Sequence, residues 1–183
     1  MNKPVSQLTI HMVTSLDGFV AKNDGGVSWM HSTGHYPAGT ELTEEAIAHF
    51  LEKIDCYLMG SRTYEQALML GWPYGDKPVI VLTHRQLTSS KNNVRFYAGD
   101  LRGLIKEDLK TQYQNIWLVG GPSLVQDCLH LQLADSIVLT IAPVVLGKGV
   151  AFFKQLDQEQ QLSLKAVTAY QDGMVELTYT INK

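Results

Sequence analysis

The stretch NIWLVGGPSL, residues 115–124, decides how the rest of the chain is arranged. Its first half is the apolar run of a buried strand that stops at Gly120 and Gly121. Pro122 then begins a helix predicted to run to about Leu131, because proline is favoured at a first helical position. A helix start offers free N–H groups and a positive dipole end, so this junction predicts a seat for a phosphate or pyrophosphate. The alternative is a tight strand-to-helix turn that needs glycine for steric reasons only.

A second junction of the same kind lies at residues 56–65. The apolar strand ends at Gly60, and Ser61-Arg62-Thr63 opens a helix. An arginine at this place can bond a phosphate at two points, and the alternative is a capped helix whose arginine forms a surface ion pair. Because ligands of parallel sheets bind at the carboxyl ends of the strands, the two junctions favour a single anion site.

Strands and helices alternate along the chain, which predicts an α/β fold with three α-β-α layers and a mostly parallel sheet. Helices are predicted to start at Thr43, Ser61, Asp100 and Pro122. The strands are predicted at residues 8–15, 56–59, 78–83, 94–97, 115–119 and 136–142. Two alternating stretches, 162–170 and 175–181, flank Asp172-Gly173 and predict an antiparallel C-terminal hairpin. The 183 residues fit a single domain spanning 1–183.

Composition narrows the classes of partner. The net charge of −3 gives no reason to expect nucleic acid or an anionic membrane surface as a partner. No apolar run approaches the length of a membrane span, and the N-terminus does not resemble a signal peptide. Cys56 and Cys128 lie in apolar segments without metal-type spacing, so we expect reduced core cysteines and a cytoplasmic location.

Several polar residues are candidates for the site. Asp17 follows the first strand and could position a proton-donating water or orient a ligand; the alternative is a turn aspartate that caps its own backbone. Thr83-His84-Arg85 follows another strand and suits an adenosine ribose phosphate, or else is a solvated turn. Glu44 and Glu45 stand in the first turn of a helix, where the dipole favours acids in any case; one of them could bind an amino-heterocycle.

Other chemistries are not expected. His31 and His35 are four residues apart without an evident helix or a third ligand, so a metal site is not predicted. The chain has no Gly-x-Ser-x-Gly motif, Cys-His pairing or Walker loop, which argues against hydrolase and kinase chemistry.

Five segments occur in an order that is typical of a known group of enzymes: SLDGFVA (15–21), MGSRTYE (59–65), VLT (81–83), VGGPSL (119–124) and APVVLGKG (142–149). In this set the chain resembles the dihydrofolate reductase-like superfamily. Within it, the chain is similar to the C-terminal reductase domain of the bifunctional riboflavin-biosynthesis deaminase-reductase. The zinc deaminase signature, His-x-Glu followed by Pro-Cys-x-x-Cys, is absent from the sequence.

The resemblance implies NADPH as the coenzyme and a homodimer. It assigns the coenzyme to Val13, Val20, Gly60, Arg62, Thr63, Leu82, Thr83, His84, Arg85, Gly120, Gly121, Ser123 and Leu124. It further implies that Trp29 closes a mobile loop and that Thr140 lies near the cleft floor. Glu45 is the candidate for the substrate-binding carboxylate, and Asp17 or Glu45 is the candidate proton supplier.

The expected activity is transfer of hydride from NADPH to a pyrimidine, pterin or ribosylaminopyrimidine substrate, as in a 5-amino-6-(5-phosphoribosylamino)uracil reductase. The arginines and acids that would bind a ribose phosphate in the riboflavin enzyme are not evident in this sequence. Two alternatives stay open: an NADP(H)-binding module or sensor without turnover, and a dihydrofolate reductase.

Overall fold

A computed structural model describes residues 5–153, 156 and 158–183. The strands are β1 (Gln7–Ser15), β2 (Phe19–Ala21), β3 (Cys56–Gly60), β4 (Val79–Leu82), β5 (Val94–Tyr97), β6 (Asn115–Gly120), β7 (Ser136–Ala142), β8 (Val150–Ala151), β9 (Leu162–Ala169) and β10 (Val175–Ile181). The α-helices are α1 (Glu44–Glu52), α2 (Ser61–Met69), α3 (Leu101–Gly103), α4 (Lys110–Gln112) and α5 (Pro122–His130). A 3₁₀ turn covers Ser28–Met30, and a π-helical segment, Leu104–Leu109, joins α3 to α4.

Eight strands form one sheet in the order β5-β4-β3-β6-β1-β7-β10-β9. The first six run parallel to one another. β10 runs antiparallel to β7, and β9 runs antiparallel to β10. The predicted α/β class, the mostly parallel sheet and the antiparallel C-terminal hairpin are confirmed. At the hairpin turn the Asp172 carboxylate accepts a hydrogen bond from the N–H of Met174 at 3.0 Å, and Gly173 has φ +83°.

Each face of the sheet has its own apolar core, because side chains alternate along every strand. Leu8, Leu58 and Leu118 face α5, while Tyr57 and Met59 point to the side where Tyr64 of α2 packs. The thiols of Cys56 and Cys128 are free and buried, and burial raises the pKa of each to about 12.

The predicted helix starts are present, and two of the four helices have a side-chain cap. The Thr43 hydroxyl accepts a hydrogen bond from the N–H of Ala46 at 3.2 Å, and the Asp100 carboxylate accepts one from Gly103 at 2.6 Å. Two details differ from the prediction. The helix after Asp100 widens into the π-helical segment instead of staying α-helical, and the separate two-stranded sheet that β2 forms with β8 was not predicted. A strand of two residues, such as β8, is too short to leave an alternating pattern in the sequence.

None of the helices in the described part of the chain is long and apolar enough to cross a membrane.

Candidate functional site

The two glycine junctions meet at one point. Gly60 is the N-cap residue of α2 and Gly121 that of α5. A Cβ atom placed on Gly60 would lie 3.7 Å from the Gly121 nitrogen, and one placed on Gly121 would lie 3.5 Å from Thr63 Oγ1. The N-termini of two nine-residue helices therefore converge, and their dipoles reinforce each other at the same place.

A cleft of about 790 Å³ opens beside these glycines, at the carboxyl ends of the parallel strands. Its volume lies in the range of cofactor and substrate sites, roughly 300–1,000 Å³. Eleven of the thirteen residues predicted to bind the coenzyme line it: Val13, Val20, Gly60, Arg62, Thr63, Leu82, Thr83, His84, Gly121, Ser123 and Leu124.

The other two predicted coenzyme residues lie off the cleft wall. Arg85 forms an exposed two-point ion pair with Glu65, so its guanidinium is engaged outside the cleft. Gly120 is buried behind Gly121 with φ +120°, and a Cβ atom there would come within 3.2 Å of Met12 Sδ. Gly120 therefore sets the backbone path behind Gly121 without lining the cleft.

Asp17 is a structural turn residue in this fold. Its carboxylate accepts hydrogen bonds from the Ser15 hydroxyl at 2.6 Å, the Leu146 N–H at 3.1 Å and the Gly147 N–H at 2.7 Å. The bond from Ser15, with those from the two amides, holds the pKa of Asp17 below its usual range. Asp17 does not line the cleft, so the structure places it as an anchor of the 146–147 loop.

The remaining predicted positions, Glu45, Trp29 and Thr140, do not line the cleft. Glu45 is exposed on the first turn of α1. Trp29 is partly buried, and its Nε1 is buried without a hydrogen-bond partner, while its neighbour Met30 reaches the cleft. Thr140 is buried on β7 with its Oγ1 3.4 Å from a Glu176 carboxylate oxygen.

The structure adds an aromatic region that was not predicted from the sequence. His11, Tyr74 and Trp117 line the cleft, and the turn that contains Met30 packs against β1 beside them. The rings of His11 and Trp117 stack with centroids 4.9 Å apart, and Trp117 also contacts Phe50 of α1 at 5.5 Å. A histidine inside the otherwise apolar run of the first strand was the one signal in the sequence.

His11 is partly buried and uncharged. Its side chain is 14% exposed, its Nδ1 has no hydrogen-bond partner, and its Nε2 lies 3.8 Å from a Glu176 oxygen. Burial lowers the pKa of His11 to about 4, so desolvation outweighs the nearby carboxylate and the imidazole is neutral at pH 7. Buried polar atoms without partners are rare in folded proteins and often mark a functional site.

The donor set fits a phosphorylated dinucleotide better than a metal. No group of three or more His, Cys, Asp or Glu that could hold a metal ion occurs among the described residues. Side-chain-free Gly60 and Gly121 leave room for a ligand against the backbone, and Arg62 and Thr63 flank that space. This is the pattern with which proteins bind a pyrophosphate.

Known proteins resemble this chain in sequence or in structure. The Bacillus subtilis (strain 168) protein YwjB, whose function is uncharacterised, is 30% identical over 172 residues, which is 93% of this chain and 95% of YwjB. A Shewanella sp. PV-4 protein assigned provisionally to riboflavin biosynthesis is 27% identical, with a TM-score of 0.82 over 97% of this chain and 99% of that one.

A more distant structure shows the fold alone. It is the Thermotoga maritima diaminohydroxyphosphoribosylaminopyrimidine deaminase/5-amino-6-(5-phosphoribosylamino)uracil reductase, 14% identical with a TM-score of 0.71. The match covers 97% of this chain but 57% of the Thermotoga protein. The sequence model of the RibD C-terminal domain matches residues 6–176. Since that match spans nearly all of the sequence, the chain belongs to the RibD C-terminal domain family, a reductase-type branch of the dihydrofolate reductase-like superfamily.

Proposed function

We propose that this protein is an NADPH-dependent reductase of a pyrimidine, pterin or ribosylaminopyrimidine substrate. The observation that carries the proposal is the meeting of Gly60 and Gly121, each the N-cap of a helix, on the wall of one large cleft. A dinucleotide needs such a place for its pyrophosphate, and membership in a reductase-type family supports the same reading.

The residues of the cleft suggest how the coenzyme would lie. Arg62, Thr63 and the amides at the starts of α2 and α5 would hold the pyrophosphate. Thr83 and His84, at the end of β4, would take the adenosine side. From β4 the sheet continues through β3 and β6 to β1, where Val13 would contact the nicotinamide.

Bound NADPH supplies the hydride. The hydride would form the new C–H bond at a C=N or C=O carbon, and one proton would complete the N–H or O–H bond. Asp17 and Glu45 both lie outside the cleft, so in this proposal the proton comes from water. The protein would contribute orientation and exclusion of bulk solvent.

Coenzyme binding and turnover test the proposal separately. Titration of the purified protein with NADPH, followed by coenzyme fluorescence, should give a saturable signal that Arg62→Ala weakens by about tenfold. The protein should then oxidise NADPH in the presence of a reducible pyrimidine or pterin. Absence of NADPH binding would contradict the proposal.

The second candidate function is an NADP(H)-binding module or sensor. This function is favoured because residues expected to bind phosphate line the cleft, whereas Asp17 and Glu45, the two predicted acids, do not. Saturable NADPH binding without oxidation on any pyrimidine or pterin would favour it over the reductase.

A further inference from the structure

The cleft has two chemically different parts. Glycines and helix N-termini form the part at the ends of β3, β4 and β6. The other part lies against the sheet face under β1 and β6, and we call it the aromatic recess: His11, Met30, Tyr74 and Trp117. Tyr57 joins two of its members, with ring centroids 4.7 Å from Tyr74 and 5.5 Å from Trp117.

Positive charge is confined to the first part. Arg62 is the only lysine or arginine among the described residues that line the cleft, and it stands at the start of α2 beside Gly60. His84 also lies on the coenzyme side, at the end of β4. A phosphorylated dinucleotide would engage both groups together with the helix N-termini, which leaves no described cation on the cleft wall for a second phosphorylated molecule.

The recess itself is polar but uncharged. Burial keeps the His11 imidazole neutral, and it also raises the pKa of Tyr74 to about 12, so the phenol keeps its proton. Glu176 lies behind His11 and beside Thr140, and a carboxylate there would repel an anion. Moving a phosphate from water into such surroundings without a cation is strongly unfavourable.

Aromatic rings suit a flat ligand. Trp117 is held in place by stacking on His11, by contact with Phe50 and by a hydrogen bond from its Nε1 to the His11 carbonyl oxygen at 3.0 Å. A fixed aromatic wall binds a heterocycle by offset or edge contacts with little loss of side-chain freedom.

Resting on the reductase function proposed above, we propose that the aromatic recess selects an uncharged, unphosphorylated flat heterocycle as the substrate and discriminates against a phosphorylated one. The specificity would differ from that of an enzyme acting on 5-amino-6-(5-phosphoribosylamino)uracil, the substrate in the name of the Thermotoga relative. His11 and Trp117 would be specificity residues that touch the substrate.

A matched pair of substrates tests the proposal: 5-amino-6-(5-phosphoribosylamino)uracil and its dephosphorylated form, with an unconjugated dihydropterin as a third, uncharged probe. NADPH binding is measured first, and its absence would count against the reductase function rather than the substrate class. With NADPH bound, kcat/KM should be at least about tenfold higher for an uncharged probe than for the phosphorylated one. Higher kcat/KM for the phosphorylated probe would overturn the proposal.

Direct binding gives a readout that does not depend on turnover. Quenching of tryptophan fluorescence on addition of each probe to the NADP⁺-loaded protein should show saturable binding of the uncharged probes. Failure of all uncharged probes to bind would also overturn the proposal. Trp117→Leu should weaken their binding by about tenfold without changing the NADPH Kd. Phe96→Leu is the matched control, because Phe96 packs on Tyr64 in the same core and does not line the cleft.

A charge placed in the recess should reverse the preference. Met30 is partly exposed at the cleft, so Met30→Arg can be accommodated without burying a guanidinium. The ratio of kcat/KM between phosphorylated and dephosphorylated probe should rise by about tenfold in this variant. An unchanged ratio would show that charge in the recess does not set the specificity.

Discussion

Arg85 and Glu65 face each other in a two-point ion pair, with Nη1 3.0 Å from Oε2 and Nη2 2.6 Å from Oε1. The hydrogen bonds from Arg85 lower the pKa of Glu65, and those to Glu65 raise the pKa of Arg85. Family resemblance implies that Arg85 lies at the 2′-phosphate of NADPH. In this structure, however, its guanidinium donates both hydrogen bonds to the Glu65 carboxylate. Glu65 and a coenzyme phosphate would therefore compete for the same donors.

Release of that competition should be measurable. Glu65→Gln is expected to lower the KM for NADPH by about two- to fivefold and to leave the KM for NADH unchanged, because exposed ion pairs are weak and the 2′-phosphate is absent from NADH. Arg85→Ala should raise the KM for NADPH alone. Steady-state kinetics with both coenzymes check this, and an Arg85→Ala variant with unaltered kinetics would remove Arg85 from the coenzyme site.

The glycine at the start of α2 should matter for binding and little for folding. An alanine at Gly60 would meet its nearest atom, the Gly121 nitrogen, at 3.7 Å, an ordinary contact. We expect Gly60→Ala to cost under about 1 kcal/mol of stability, mainly from the poorer N-cap. The added methyl would stand where the pyrophosphate approaches the backbone, so the NADPH Kd should rise by about tenfold or more.

The control for Gly60 is Gly103→Ala, on a helix that does not reach the cleft. Coenzyme titration and thermal unfolding of both variants separate the two effects. Equal NADPH affinity in wild type and Gly60→Ala would argue against a pyrophosphate at this corner.

Asp17 should affect stability in a pH-dependent way. Because its folded-state pKa is depressed, its carboxylate stabilises the fold above its ordinary pKa of 3.8, and this contribution is lost as the pH falls through the lower folded-state value. Asp17→Asn should therefore lower Tm at pH 7, and the difference from wild type should shrink below about pH 4.

Asp24→Asn is the matched control, since Asp24 accepts one N–H within its own turn, from Gly26. If Asp17 is an anchor, kcat in Asp17→Asn should stay within about threefold of wild type. A much larger loss of kcat with an unchanged Tm would restore the catalytic role considered for Asp17 from the sequence.

The features that were predicted correctly depend on residues close to one another along the chain. Apolar runs, the glycines at 60 and 120–121, Pro122 and the capping residues Thr43 and Asp100 act within a few residues of their own positions, and these elements are confirmed. Two such junctions on parallel strands had to meet at one edge of the sheet, which is why they could be placed together without coordinates.

The features that were not predicted depend on residues far apart along the chain. The two amides that bind Asp17 lie 129 and 130 residues further along the chain, so nothing near Asp17 distinguished an anchor from a catalytic acid. β1 lies between β6 and β7 in the sheet. This position brings His11 beside Trp117 of β6 and close to the Glu176 carboxylate. Register between strands sets such neighbours, and the residue pattern of one strand does not show which residues of another strand lie opposite.

The homodimer expected from the family resemblance stays a prediction, and the C-terminal hairpin offers a place to test it. Leu139, Leu177 and Val167 are register partners across β7, β10 and β9, so they lie on one face of the sheet. Further in, on the same face, Ile137 is only 3% exposed and belongs to the core that contains α5, whereas Val167 is 58% exposed. The apolar face thus continues beyond the part of the sheet that α5 covers.

A second copy of the chain that covers this face would bury those side chains around a two-fold axis. Val167→Lys should then shift the mass measured by light scattering from dimer to monomer, because a lysine would be buried without a partner in the interface. Ala166→Lys is the matched control: Ala166 is an exposed neighbour on the same strand, and its register partner Thr178 lies on the opposite face. Equal masses for the two variants, or a monomeric wild type, would place any self-association elsewhere or exclude it under the conditions tested.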